Sequence, residues 1–188
     1  MTKPPAAGPK PPARRYLARK RFVWQQRSLA QIAKPDRCES FVMPQNNTLR
    51  FRQGENYFEL FVMPEEDPAL QNYGDAYATV DICSNGFRGR NDLWVSAASL
   101  REFCQALIML EATRRGAAEL ESISPDELNV KVHSTTSRGH VAVSGKTGYL
   151  IQHENGGFWH SIEFGFEFDP SQLASATKLP WVSRYATQ

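Results

Sequence analysis

Between Tyr149 and Phe168 apolar and polar residues alternate on both sides of Asn155-Gly156-Gly157, and few chains with such a stretch can avoid an antiparallel hairpin. With Gly156-Gly157 as a two-residue primed turn, Glu154 faces Trp159, His153 faces His160, Ile151 faces Ile162 and Tyr149 faces Phe164. Tyr149, Ile151, Ile162, Phe164, Phe166 and Phe168 then line one side, and Gln152, Glu154, Ser161, Glu163 and Glu167 the other. A slip of one residue would turn every side chain to the wrong face. The pattern therefore calls for an antiparallel sheet with one oily face and one wet, carboxylate-bearing face.

Shorter alternations precede it. Leu49-Arg50-Phe51-Arg52 and Tyr57 to Val62 flank a turn at Gln53-Gly54-Glu55-Asn56, and Asn85-Gly86-Phe87 joins a strand from Ala76 to Cys83 to one ending Leu93-Trp94-Val95. Ala118 with Leu120, Leu128 with Val130 and Val132, and Val141 with Val143 are separated by turn chemistry at Ser124-Pro125-Asp126 and Ser137-Arg138-Gly139. Gly145-Lys146-Thr147-Gly148 lacks the full phosphate-loop spacing and reads as another hairpin turn.

One segment has helical period. From Ser99 to Arg115, Leu100, Phe103, Cys104, Leu107, Ile108 and Leu110 fall on one stripe. Ser99 with Glu102 suggests a capping box, with Ser96 as the competing N-cap, while Arg114, Arg115 and Gly116 supply the stop. Glu111 falls within the stripe, either hanging past the sheet edge or paired with Arg114 or Arg115. Asp169-Pro170-Ser171 opens a short C-terminal helix to about Ala176, and Leu179, Trp181, Val182 and Tyr185 are apolar enough to dock back on the domain. The expected fold is α+β: an antiparallel sheet of about seven to nine strands, its oily face roofed by one long central helix.

Charge divides the chain. Ten of the 22 Lys and Arg but one of the 20 Asp and Glu fall within residues 1–37, so that segment carries +9 and the remainder −7. Pro4, Pro5, Pro9, Pro11 and Pro12 favour solvated backbone at the start, and residues 16–33 mix apolar with basic residues in a pattern that could make a short amphipathic helix. Residues 1–42 are expected to be a basic, Pro-rich, disordered extension, with Met43 as an alternative start, and residues 43–188 a single domain. Cys38, Cys83 and Cys104 are odd in number and widely spaced, as reduced thiols in a cytoplasmic protein would be. No apolar run is long enough for a signal peptide or a membrane span.

Catalytic signatures are not found: there is no nucleophile elbow, and His133, His140, His153 and His160 offer at most one cross-strand pair, half of what a structural zinc site needs. Neither a metal nor a cofactor is expected. Glu154, Glu163 and Glu167 share the wet face, and Glu65, Glu66, Asp67 and Asp75 lie in an acidic loop. A solvated sheet face does not perturb carboxylates for acid/base work but does suit recognition of a basic partner.

From Tyr77 to about Leu173 the chain resembles the WapI-type bacterial immunity protein family and related bacterial domains of unknown function. The segments that carry the resemblance are "YATVDICSNGFRGRNDLWVSAASLREFCQALIMLE", "AELESISPDELNVKV", "SRGHVAV" and "FEFD", with Gly86, Phe87, Gly89, Trp94, Leu100, Phe103, Leu107, Gly139, His140, Val141 and Asp169 as anchors. It implies a non-enzymatic cytoplasmic protein that neutralises a cognate toxin by binding it, and a basic toxin domain would suit the −7 of the folded part. Two other functions compete with it: a small-ligand carrier or enzyme with a pocket near His140 and Trp94, and nucleic-acid contact through the basic N-terminal segment.

Overall fold

The computed structural model describes residues 45–187, so the expected N-terminal extension, the helical pattern in residues 16–33 and the nucleic-acid contact assigned to that segment lie outside the described residues. After one 3-10 turn (Gln45–Asn47) come β1 (Thr48–Gln53), β2 (Asn56–Pro64), β3 (Ala76–Ser84), β4 (Phe87–Val95), α1 (Ala97–Thr113), β5 (Ala117–Glu121), β6 (Leu128–Ser134), β7 (Val141–His153), β8 (Gly156–Phe168), α2 (Ser171–Ala176) and α3 (Pro180–Ala186). The class is α+β and every strand pair is antiparallel, as the alternation requires. The eight strands, however, form two four-stranded sheets, β1-β2-β3-β4 and β5-β6-β7-β8, in place of the single expected sheet.

Dimensions give the reason. A helix of 17 residues is about 25 Å long and about 10 Å wide, whereas eight strands side by side would span about 38 Å. One helix cannot roof that width, and the oily faces cover each other instead. Phe51 of β1 stacks on Phe168 of β8 with ring centroids 4.1 Å apart, and Phe58 of β2 stacks on Phe164 at 5.5 Å. The aromatic stripe of β8, expected beneath the helix, thus packs on the first sheet. Leu60, Val80, Ile82 and Leu93 from one sheet and Val130, Val132 and Val143 from the other complete a continuous core with Leu100, Phe103, Cys104, Leu107 and Leu110 of α1. Between the sheets, the Ile123 N–H donates to the Trp94 carbonyl at 2.8 Å.

The helical part is α1 and two short helices, not one long helix and one short one. Ser96, the competing cap, starts α1 by accepting from the Ser99 N–H, and the helix ends when Arg114 takes a left-handed conformation, φ 54°. Gly116, the expected left-handed residue, also has positive φ, 95°, two residues further on. Arg114 is held there by its own side chain, which donates from Nη1 to the Pro170 carbonyl at 2.9 Å and pairs with Glu111 at 3.4 Å. Glu111 is therefore an ion-paired, partly buried carboxylate within the structure. Ile108 of the expected apolar stripe is exposed.

The C-terminal residues dock as expected and do so as a helix: α3 buries Trp181, Val182 and Tyr185, and the Tyr185 hydroxyl donates to the Gly74 carbonyl at 2.8 Å. Burial pushes the Tyr185 phenol up to about 12, as it does the Cys104 thiol, and burial with a hydrogen bond to Asp81 does the same for Tyr57. All three are raised above their unfolded values, so the folded state favours their neutral forms. Their contribution is complete below about pH 9 and is lost as the pH rises towards 12. Thermal melts from pH 8 to 12 should show Tm falling across that window, less steeply in Tyr185→Phe.

Gly145-Lys146-Thr147-Gly148, expected as a turn, lies within β7. Its glycines answer to crowding. A Cβ on Gly145 would overlap the Asn129 carbonyl, and one on Gly148 would come 2.7 Å from Ser161 Cβ.

Candidate functional site

β7 and β8 have 13 residues each, whereas the other strands have five to nine. β6 accompanies β7 only to Thr147, opposite Leu128, with one further bond from the Gly148 N–H to the Glu127 carbonyl. Beyond that point no strand among the described residues flanks the hairpin, and every residue from Tyr149 to Ser161 is exposed. It is a two-stranded arm.

The arm is apolar on both faces. Pairing sets Tyr149 opposite His160, Leu150 opposite Trp159 and Ile151 opposite Phe158, around a turn at Glu154-Asn155. Tyr149, Ile151, Phe158 and His160 occupy one side, with Tyr149 stacked on His160 at 5.6 Å and His153 edge-on to Phe158 at 5.5 Å. Leu150 and Trp159 occupy the other. Phe158 is 64% exposed and Trp159 40%. Aromatic side chains left uncovered in a contiguous group mark a surface that meets another molecule.

This register corrects the expected one, in which Gly156-Gly157 made the turn and Tyr149 faced Phe164. His153 lies opposite Gly156, so the two histidines do not pair, and Glu154 sits in the turn instead of facing Trp159. The displacement is an even number of residues, which leaves the division into two faces intact. Both glycines belong to the start of β8. Gly156 has φ 139°, a conformation that glycine alone adopts readily, and a Cβ on Gly157 would come 2.9 Å from Leu150 Cδ1.

The base of the arm is fixed by one buried amide. Asn91 of β4 donates from Nδ2 to the Gly148 carbonyl at 2.8 Å, with longer bonds to the Glu127 carbonyl and Thr147 Oγ1. A cleft of about 280 Å³ opens beside it between Arg88–Asn91 and residues 147–149 and 160–162.

The expected carboxylates are dispersed. Glu163 and Glu167 lie on the outer face of the second sheet, exposed, with Glu163 opposite Lys146 and Glu167 accepting from Thr135 Oγ1 at 2.9 Å. That face also carries Glu119 paired to Lys131 at 2.7 Å, and Glu121. Glu154 stands at the tip of the arm. In the loop between β2 and β3, Glu65 accepts from the Asp67 N–H, Asp67 from the Ala69 N–H, and Glu66 pairs with Arg184. Asp75 accepts from the N–H of Ala97, the first residue of α1, at 2.9 Å. Asp75→Ala should cost about 1–2 kcal/mol by urea denaturation, through a lost helix-start acceptor.

The outer face of the first sheet satisfies itself. Arg50 and Arg52 converge on Glu59, Tyr57 donates to Asp81, Thr79 donates to Asp92, and Trp94 packs edge-on to Tyr77. His140 lines a cleft of about 510 Å³ with Gln53, Asn56, Glu167 and Asp169, and Trp94 is not part of its lining. Neither this cleft nor the one beside Asn91 is lined by both residues. Among the described residues no three His, Cys, Asp or Glu side chains could share a metal ion, and no helix is long and apolar enough to cross a membrane.

The alternation alone places Tyr149 and Ile151 with the core face and so does not single out the arm. Two signals were present: Leu150 and Trp159 put apolar side chains on the wet face, and the alternation ran longer than any other strand's.

The model of the immunity protein WapI-like family matches residues 48–178, well over half of the chain, from β1 through α2. The match reaches two strands further toward the N-terminus than the resemblance beginning at Tyr77. No curated protein and no solved structure matches the chain.

Proposed function

The chain belongs to the immunity protein WapI-like family, and from this we propose that it neutralises a cognate toxin domain by binding it, without catalysis, in the cytoplasm of the cell that makes both. The observation that carries the proposal is the arm, whose exposed aromatic residues have, among the described residues, no partner strand or helix over them and no catalytic constellation beside them. Large apolar anchors at the centre of an interface supply most of its binding energy. Around them Glu154, Glu163 and Glu167, with the net −7 of residues 38–188, favour a basic partner and speed its approach. The Glu65 to Asp75 loop is the second acidic surface, but the contacts of Glu66 with Arg184 and of Asp75 with Ala97 commit those carboxylates within the chain.

The test is co-expression of the full chain with each polypeptide encoded by the genes flanking its own, in cells whose growth that polypeptide arrests. Growth should be restored by one of them and the two chains should copurify, associating more slowly as salt rises. Restored growth without a complex, or association indifferent to salt, contradicts the proposal or its electrostatic part respectively.

A further inference from the structure

Among the described residues nothing bonds to one hydrogen-bonding edge of the arm and nothing covers its faces. β8 ends the order of its sheet, and among the described residues its backbone bonds only to β7. Which groups face outward follows from one contact. The Gly148 N–H donates to Glu127, on the β6 side of β7, so Gly148 and the opposite residue Ser161 do not exchange bonds with each other. In an antiparallel ladder such pairs alternate with bonded ones. The N–H and C=O of Ser161, and likewise of Trp159 and Glu163, therefore point away from β7, where no described residue bonds to them. An exposed edge with apolar neighbours is a template for another strand.

Resting on the arm being the element that holds the partner, we propose that it does so by strand addition: an extended, basic segment of the partner pairs with the free edge of β8 from about Phe158 to Glu163. The side chains along that edge set its pattern. Phe158, His160 and Ile162 fall on one face and Trp159, Ser161 and Glu163 on the other, with Glu167 further along. A strand beside them places apolar residues next to Phe158 and Ile162 and, alternating with these, Lys or Arg next to Glu163 and Glu167. A second copy of this chain fits the edge poorly. It would set the same carboxylates on a shared face and bring together two domains of −7.

The probe is a labelled nine-residue peptide of alternating valine and lysine, titrated into the full chain by fluorescence anisotropy. It should bind, and an analogue with all backbone amides N-methylated, equal in charge and side chains, should bind at least about tenfold more weakly because its ladder donors are gone. Ser161→Pro removes an outward N–H, which an edge strand tolerates, and should weaken the unmodified peptide about tenfold with its circular dichroism and Tm unchanged. Failure of the peptide to bind, equal binding of the methylated peptide, or full binding by Ser161→Pro overturns strand addition. So does concentration-dependent self-association that Ser161→Pro abolishes, since the edge would then serve a second copy. The two proposals separate through the flanking-gene partner: loss of the complex in Phe158→Ala but not in Ser161→Pro leaves the arm and removes strand addition, whereas a complex indifferent to both removes the arm.

Discussion

Replacing Phe158 and Trp159 together by alanine is expected to weaken the complex with the cognate toxin by about a hundredfold to a thousandfold and to leave Tm almost unchanged. Both side chains are exposed, so folding gains little from them, and their removal opens no cavity in the core. In a complex each would be desolvated against the partner, where truncating an aromatic anchor costs about 2 kcal/mol or more, and every 1.4 kcal/mol or so is a factor of ten in affinity. Isothermal titration and thermal melting on the same preparation measure the two halves of this expectation. A matched loss of stability would show that the pair serves the fold; unchanged affinity would show that the partner sits elsewhere.

The opposite behaviour is expected of Phe51→Ala. Phe51 is fully buried, stacked at 4.1 Å on Phe168 and at 6.4 Å on Phe58, at the place where one sheet covers the other. Truncation should cost about 3–5 kcal/mol in urea denaturation, from lost transfer energy and from a cavity that two stiff sheets cannot collapse around. That is a large part of what holds a domain of this size together. Phe87, 73% exposed at the turn between β3 and β4, provides the control: Phe87→Ala should change stability by no more than about 0.5 kcal/mol. Equal effects at the two positions would contradict the sheet-on-sheet core.

Local features were legible in the sequence wherever a short-range rule governs them. Asn85-Gly86 marks a turn because both residues adopt positive φ there, 51° and 85°, and the period of Leu100, Phe103, Leu107 and Leu110 marks the buried side of α1. Pro180 at the first turn and the burial of Trp181, Val182 and Tyr185 were half visible: the docking followed from apolarity, the helix did not. What alternation cannot report is which oily face meets which. Phe164 and Phe168 read identically whether a helix or a second sheet lies over them, and only the width of eight strands against one helix of 17 residues separates the two. Glycines misled for a similar reason. Gly145 and Gly148 serve close approach, Gly156 and Gly157 the start of β8 beside the turn, and a sequence shows only that glycine is present.

The sequence points to a site through its charges, whereas the proposed function rests on the aromatic residues of the arm. Glu163 and Glu167 are exposed on the outer face, as the period of two demands. Nothing local announced that Asp75 would bond to the start of α1 or that Glu66 would meet Arg184, because those contacts join segments far apart in the chain. Tyr149 and Ile151 were assigned to the core because alternation gives the side a residue faces, not whether anything lies opposite. That depends on where β6 stops, at Leu128 opposite Thr147.

Amide hydrogen exchange of the full chain, free and bound to its cognate toxin, bears most directly on the claim that the arm is where the partner is held. The account predicts slowed exchange in the complex across residues 149–163, strongest at the outward amides of Trp159, Ser161 and Glu163. Protection confined to the Glu65 to Asp75 loop or to the Arg50–Trp94 face, with the arm exchanging as it does in the free protein, would contradict it.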